Sequence, residues 1–348
     1  MQARIPLAII GTSLSLAALA ACGSAQGRSA TARAPGGAAA AAAAALSSAS
    51  GGSARLCGAE APETLARTAG LVARRIYANE LASAEVFHDK HQVESYGPLL
   101  SGLESGNRVA VSEAVRSLVY SHTHVVRLRV TRGPNVLADV GGPQILAPVG
   151  GTLRRRGRTL GRYLLSVQDD LGYVKLVSRF IGVPLVMRAG SQSLAIEGAV
   201  SPGPPTIPIH GPVSYRGRSY QAFSFAARAF PNAALRISLL VPVAGSLTRQ
   251  TCASIRVDEL GRVAQRISRR FSLSPSNFDS YIKATAPLTG GLIYIRAGSH
   301  QLAGSSRPGP SKLPSQGMVS YRGSSYGVSS FGAASSAGAV RIYLLVHT

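Results

Sequence analysis

Apolar residues recur at helical spacing at Leu65, Ala69, Val72 and Ile76, and this pattern predicts an amphipathic helix from Thr64 onward, with Pro62 just ahead of it. Val111, Ala114, Val115 and Leu118 predict a second helix that ends near Tyr120. Strand-like runs follow at His124-Val-Val-Arg-Leu-Arg-Val130, Val136-Leu-Ala-Asp-Val140 and Gly161-Arg-Tyr-Leu-Leu-Ser-Val167. Gly133-Pro-Asn and Arg156-Gly-Arg supply the turns between them. After Asp169 the spacing becomes helical again to about Phe180, Gly182 ends that helix, and Leu185-Val-Met187 resumes a strand. A proline-rich loop, a hairpin turn at Arg216-Gly217 and the apolar strand Leu235-Arg-Ile-Ser-Leu-Leu-Val241 close the unit.

Much of this pattern is written twice. Val213-Ser-Tyr-Arg-Gly-Arg-Ser-Tyr220 returns as Val319-Ser-Tyr-Arg-Gly-Ser-Ser-Tyr326, a shift of 106 (319 − 213), and Pro202-Gly-Pro204 returns as Pro308-Gly-Pro310. Tyr173-Val-Lys175 matches Tyr281-Ile-Lys283 at a shift of 108 (281 − 173). In the first helix Cys57, Leu65, Arg67, Ala69, Arg74 and Arg75 match Cys252, Leu260, Arg262, Ala264, Arg269 and Arg270 at a shift of 195 (252 − 57). The difference, 195 − 108 = 87, gives the length of an insertion carried by the first copy alone, over about residues 85–167.

Helices followed by runs of hairpin-connected strands define an α+β protein with antiparallel sheet. Arg127-Leu-Arg-Val, Leu137-Ala-Asp, the hairpin from Gly150 to Gly161 and Ser166-Val-Gln-Asp-Asp-Leu-Gly-Tyr173 resemble a Cache domain, the PAS-like extracytoplasmic sensor module of bacterial receptors. The resemblance implies a PAS/Cache-like antiparallel sheet with flanking helices over residues 56–245. A shorter repeat then fills residues 250–348, a half-module without the insertion and without the first strands. It also implies a ligand pocket over the sheet. Arg127, Arg129, Tyr163, Gln168, Tyr173 and Lys175 are its candidate ligand-binding residues, with donors suited to a small anionic solute. A solvated arginine face is the competing reading of Arg127 and Arg129.

The amino terminus changes the location. A positive charge at Arg4, an apolar run over residues 5–21 and a small-residue exit make a secretory signal over residues 1–21. Leu19-Ala-Ala-Cys22 resembles the lipobox of bacterial lipoproteins, which implies cleavage before Cys22 and a diacylglycerol anchor on its sulfur. Residues 22–55, rich in Ala, Gly and Ser, form a tether. The expected location is the extracytoplasmic face of the cell membrane, with the lipid bilayer as one partner and a membrane signalling protein as another.

Composition narrows the chemistry further. A hydrophobic fraction of 45% is enough to pack a core. The formal charge of +22 admits anionic polymers or membranes as partners, but no lysine/arginine block with interleaved aromatics is present, so nucleic acid is not expected. Arg154-Arg-Arg-Gly-Arg158 reads as an exposed hairpin tip.

Four histidines form two pairs, His88/His91 and His122/His124, without cysteine or carboxylate at zinc spacing, and no metal or cofactor is expected. His124 shares a strand face with Val126, Leu128 and Val130 and reads as a core-edge residue. Asp169 and Asn277 each precede a helix and read as N-caps. Cys57 and Cys252 occupy corresponding points of the copies in an oxidising compartment; they form either a disulfide that ties the copies together or two separate buried thiols. No nucleophile–base motif is present, and catalysis is not expected.

Overall fold

The computed structural model describes residues 55–122, 124–143, 145–190, 192–193, 203–243 and 249–348. The signal peptide, Cys22 and all of the tether but Arg55 lie outside the described residues, as does Pro202. From Ala54 to Thr348 the chain is one compact unit, and no helix among the described residues is long and apolar enough to cross a membrane.

The first copy opens with α1 (Ala61–Ala82), which carries Pro62 in its first turn, where a missing N–H costs nothing. The insertion then supplies α2 (Ala84–Ser95), α3 (Gly97–Ser105) and α4 (Arg108–Ser117). Ser83 caps α2 by accepting from Val86 N, and Asn107 caps α4 by accepting from Ala110 N. A π-type turn, Leu118–His122, leads into β1 (Arg127–Arg132), β2 (Asn135–Gly141), β3 (Ile145–Leu146), β4 (Val149–Arg155) and β5 (Arg158–Ser166). The strand predicted to start at His124 therefore starts at Arg127, and His124 lies ahead of it with its side chain exposed.

Four of these strands make a separate sheet in the order β2-β1-β5-β4. Its apolar face packs on α3 and α4 through Leu99, Leu103, Val111, Val115, Leu128 and Leu165. The insertion thus has its own core and does not lend these strands to the repeated sheet. Helices that bury Leu99, Leu103, Val111 and Val115 give the strands a second layer of their own, so they need no other partner.

The repeated sheet follows. After β6 (Gln168–Asp169) come α5 (Asp170–Phe180), β7 (Leu185–Ala189), β8 (Gln192–Ser193), β9 (His210–Tyr215), β10 (Arg218–Ala229) and β11 (Ala233–Pro242). The second copy contributes α6 (Cys252–Ser268), α7 (Phe278–Thr289), β12 (Leu292–Ala297), β13 (His300–Gly304), β14 (Gln316–Tyr321), β15 (Ser324–Ser335) and β16 (Gly338–His347). Along the first sheet β8, β7, β11 and β10 are neighbours and β9 pairs with β10; the second runs β13-β12-β16-β15-β14. These are the same order. The second copy is therefore not a half-module: it carries all five strands of the repeated unit.

The duplicated Ser-Tyr-Arg-Gly words are the hairpin turns. Arg216 and Gly217 have φ of 50° and 71°, and Arg322 and Gly323 have 51° and 76°. Two successive positive φ values define the two-residue turn whose twist suits a hairpin. Each arginine folds over the tyrosine before it, 5.1 Å from the ring centre in both copies.

The first helices do not superpose at the shift of 195. Ala66, Thr68, Ala69, Gly70, Val72, Ala73, Ile76 and Tyr77 are buried in α1, and Val257, Glu259, Leu260, Gly261, Val263, Ala264, Ile267 and Ser268 in α6. All eight pairs stand 191 apart (264 − 73), so the insertion is 191 − 108 = 83 residues long. The earlier register is off by four residues, about one helical turn, which keeps a side chain on nearly the same face. Periodicity alone does not separate the two registers. Both copies share one core, with Val72, Ile76, Tyr173, Ile237 and Leu239 from the first and Val263, Ile267, Tyr281, Ile342 and Leu344 from the second.

Candidate functional site

The site is built by α1 and α6 and by what their side chains do to the opposite copy. Each helix is first fixed to its own copy. The Tyr173 hydroxyl donates to Ala73 O at 2.9 Å, and the Tyr281 hydroxyl donates to Ala264 O at 3.0 Å. Gly70 and Gly261 let each helix lie directly on its sheet, since an added Cβ would come within 1.9 Å of Phe223 and 2.2 Å of Ser329.

Each helix then reaches across. Arg75 Nη1 donates to Leu288 O at 3.1 Å, at the carboxyl end of α7. Arg266 Nη1 donates to Ile181 O and Phe180 O, at the carboxyl end of α5. The receiving turns end in Gly290 (φ 67°) and Gly182 (φ 77°), which are equivalent at the shift of 108. A cation at a helix carboxyl end meets its unpaired carbonyls and the negative pole of its dipole. The exchange is reciprocal, as in an isologous contact between two like units.

Between α1 and α6 the structure leaves a cleft of about 620 Å3 lined by Thr64, Arg67, Arg75, Arg256, Thr289 and Val346, among others. At one end Cys57 and Cys252 form a disulfide, and the Thr64 hydroxyl lies 3.4 Å from both sulfurs. At the 191 register Cys252 corresponds to Ala61, so the bond joins points one turn out of equivalence. Glu63 holds Arg67 at 2.7 Å. The Thr68 and Thr289 hydroxyls donate to the carbonyls of Thr64 and Thr285 one turn back, at 2.8 and 3.0 Å. Burial, and then the nearby Arg256 charge, push the Arg75 pKa down.

The six residues expected to line one pocket are dispersed. Arg127 and Arg129 do come together, on the outer face of β1, but on Asp139 of the neighbouring strand. Arg127 Nε and Nη2 donate to its two oxygens at 2.9 and 3.0 Å, and Arg129 Nη2 donates to Oδ2 at 2.7 Å. Both guanidiniums lie over the Phe230 ring, 4.6 and 5.3 Å from its centre. Burial pushes the Asp139 carboxyl up, and the hydrogen bonds from the two arginines outweigh it, holding the group below the usual carboxylate range.

Tyr163 pairs with Val130 in the register of β1 and β5, and cross-strand partners share a face, so it points away from Arg127 and Arg129. Its hydroxyl donates to Glu94 Oε1 at 2.6 Å, and burial with that partner raises its pKa. Gln168 Nε2 donates to Asp169 O at 3.1 Å. Tyr173 is fully buried, and Lys175 is exposed on α5.

Asp169 caps α5 by accepting from Gly172 N at 2.6 Å. Asn277 does not cap α7 in this way. Its side chain accepts from Ser274 N and donates to Ser272 O, both at 2.8 Å, and so fastens the preceding loop. His88 Nε2 lies 2.8 Å from Gln92 Nε2, His124 Nδ1 lies 3.8 Å from Glu85 Oε1, and His91 is exposed. The His122 side chain lies outside the description. Among the described residues no three His, Cys, Asp or Glu side chains gather to hold a metal ion.

Arg256 and Thr68 have no part in the sequence reading, and Arg75 enters it only as the match of Arg270. An alignment at 191 marks out Arg75 and Thr68, because it pairs Arg75 with Arg266 and sets Thr68 against Glu259; Arg256 falls opposite Leu65.

The fold defines an α+β protein built from two like units, the first interrupted by a helix-and-sheet insertion. No family model matches the chain, and no curated protein matches it in sequence. Among solved structures the chain is similar to the periplasmic domain of Vibrio cholerae LuxQ, at 8% identity over 81% of this chain and 99% of that one, with a TM-score of 0.18. A second structure, of the selenomethionine form of that domain, shows 6% identity over 83% and 97%, with a TM-score of 0.14. TM-scores this low define neither a common fold nor a common ligand.

Proposed function

We propose that this protein is a lipoprotein held at the extracytoplasmic face of the membrane through Cys22, and that its paired units bind a small solute in the cleft between α1 and α6. The observation that carries this reading is the cleft itself, about 620 Å3 and bounded by both copies. That volume falls within the range of small-molecule pockets. A ligand there touches both units at once, so its presence is readable by a partner protein that contacts the body. The reading is of a binding protein and not an enzyme: the cleft's functional groups are guanidiniums, carboxylates, the Thr68 and Thr289 hydroxyls already donating to helix carbonyls and the Thr64 hydroxyl against the disulfide.

The test is a thermal-shift panel of amino acids, small carboxylates, polyamines, purines and organic phosphates on the full chain in detergent. A solute present at about 100 times its Kd stabilises the folded state by roughly 2.7 kcal/mol. One chemical class is expected to raise the melting temperature, with the rise persisting in high salt.

A second reading has its own observation. The β4–β5 hairpin tip exposes Arg154, Arg156 and Arg158, and the whole chain carries a net charge of +22. Both suit binding to anionic wall polymer or lipid headgroups. Such binding weakens steeply with ionic strength, which separates it from the cleft.

A further inference from the structure

The internal repeat supplies its own control for the chemistry of the cleft. At the 191 register Arg75 corresponds to Arg266, Thr68 to Glu259 and Leu71 to Arg262. Both arginines do the same structural task, closing the second helix of the other copy. Their electrostatic surroundings differ.

Beside Arg266, the carboxylate of Glu259 is nine-tenths buried and lies 3.1 Å from Arg262 Nε. Burial lifts its pKa, and the charges of Arg262 and Arg266 offset only part of that rise. That side of the repeat is charge-compensated from within.

Beside Arg75 the carboxylate is missing. Thr68 stands in its place, and its hydroxyl is spent on Thr64 O. After burial, the charge that acts on Arg75 is that of Arg256, of like sign. Neither arginine forms an ion pair among the described residues. Each makes one kind of contact, Arg75 to Leu288 O and Arg256 Nη2 to His347 O. A guanidinium carries five N–H donors, so most of theirs remain for a ligand. The two carboxylates on the cleft wall are placed elsewhere: Glu63 is held by Arg67, and Glu60 Oε2 lies 4.0 Å from the Cys252 sulfur, at the disulfide end.

We infer that the cleft takes the acidic group of a small oxyanion, a carboxylate or a phosphate, between Arg75 and Arg256, beside Thr68, whose counterpart in the second copy is the carboxylate Glu259. Two arginine forks facing one space suit bidentate capture of such a group. This inference rests on the solute-binding reading of the same cleft and adds the chemistry of the solute.

The experiment is isothermal titration of the full chain in detergent with inorganic phosphate and, separately, with malonate, at ionic strength fixed by chloride. The two anions distinguish phosphate from carboxylate recognition. Wild type is expected to bind one of them at one site per chain. Arg256→Gln, at an exposed residue, is expected to weaken that binding at least tenfold. Thr68→Glu, which installs the carboxylate of the other copy, is expected to abolish it in a protein that still folds.

Failure of both anions to bind, or equal binding by wild type and Arg256→Gln, overturns the inference. Should Thr68→Glu fail to fold, Arg256→Gln alone decides. A neutral solute that stabilises wild type and Arg256→Gln alike leaves the solute-binding reading standing and removes only the anion; silence across the whole thermal-shift panel removes both.

Discussion

The disulfide offers the sharpest quantitative prediction, because it closes a long loop. Cys57 and Cys252 are 195 residues apart. In the chain-entropy model such a loop costs the unfolded chain about 18 cal/mol/K, roughly 5 kcal/mol at 25 °C. Native disulfides, when removed, cost about 2–5 kcal/mol, so the model value acts as a ceiling. The described body spans about 294 residues (348 − 54), and unfolding entropy near 2.1 cal/mol/K per residue gives about 0.6 kcal/mol/K. Breaking the bond should therefore lower the melting temperature by about 3–8 °C. The local packing around Ala61 and Ile255 is small, so little of the loss should come from the core itself. The assay is scanning calorimetry of the full chain, oxidised and reduced, with free thiols counted by alkylation. Cys57→Ala/Cys252→Ala serves as the second arm and should match the reduced protein. A fully reduced protein that melts within 1 °C of the oxidised one refutes the reasoning.

Tyr173→Phe should cost about 1–2 kcal/mol in urea denaturation, because Ala73 O loses a buried donor. It should leave ligand titrations unchanged, since the phenol faces the core. Gly70→Ala should cost about 1–3 kcal/mol, because its Cβ would sit 1.9 Å from the Phe223 ring. A measured loss below 0.5 kcal/mol would show that the helix and sheet can part at no cost. At the end of α1, burial and then Glu85 push Glu80 from 4.5 to about 7. The native state keeps this proton while the unfolded chain releases it, so stability should fall as pH rises from about 4.5 through 7, by up to roughly 3 kcal/mol. Glu80→Gln should flatten that fall when urea midpoints are compared at pH 5 and pH 8.

Much of the architecture could be read from the chain because it depends on local chemistry. Arg-Gly in two hairpins, Asp169 before a helix, and the alternation of Leu128 and Val130 with Arg127 and Arg129 are all decided within a few residues. The errors arose where distance in space decides. A four-residue slip leaves a helix face nearly unchanged, so α1 and α6 matched at 195 through Leu65/Leu260 and Ala69/Ala264, although burial sets the register at 191. Arg127 and Arg129 were placed on the right strand face, but their carboxylate, Asp139, is fixed by pairing with β2. The facing of Tyr163 follows from its register against Val130, which turns it away from Arg127 and Arg129. The cleft arginines stand on helices that meet only in the folded body, and no short motif announces them.

Hydrogen-exchange mass spectrometry of the full chain, with and without the solute that stabilises it, bears most directly on the central claim. A ligand held between the two copies should slow exchange along residues 64–75 and around 286–291, where Arg75 closes α7, with little change over residues 127–142. Protection centred on 127–142, around Arg127, Arg129 and Asp139, with none on α1, would contradict the account and return the site to the insertion.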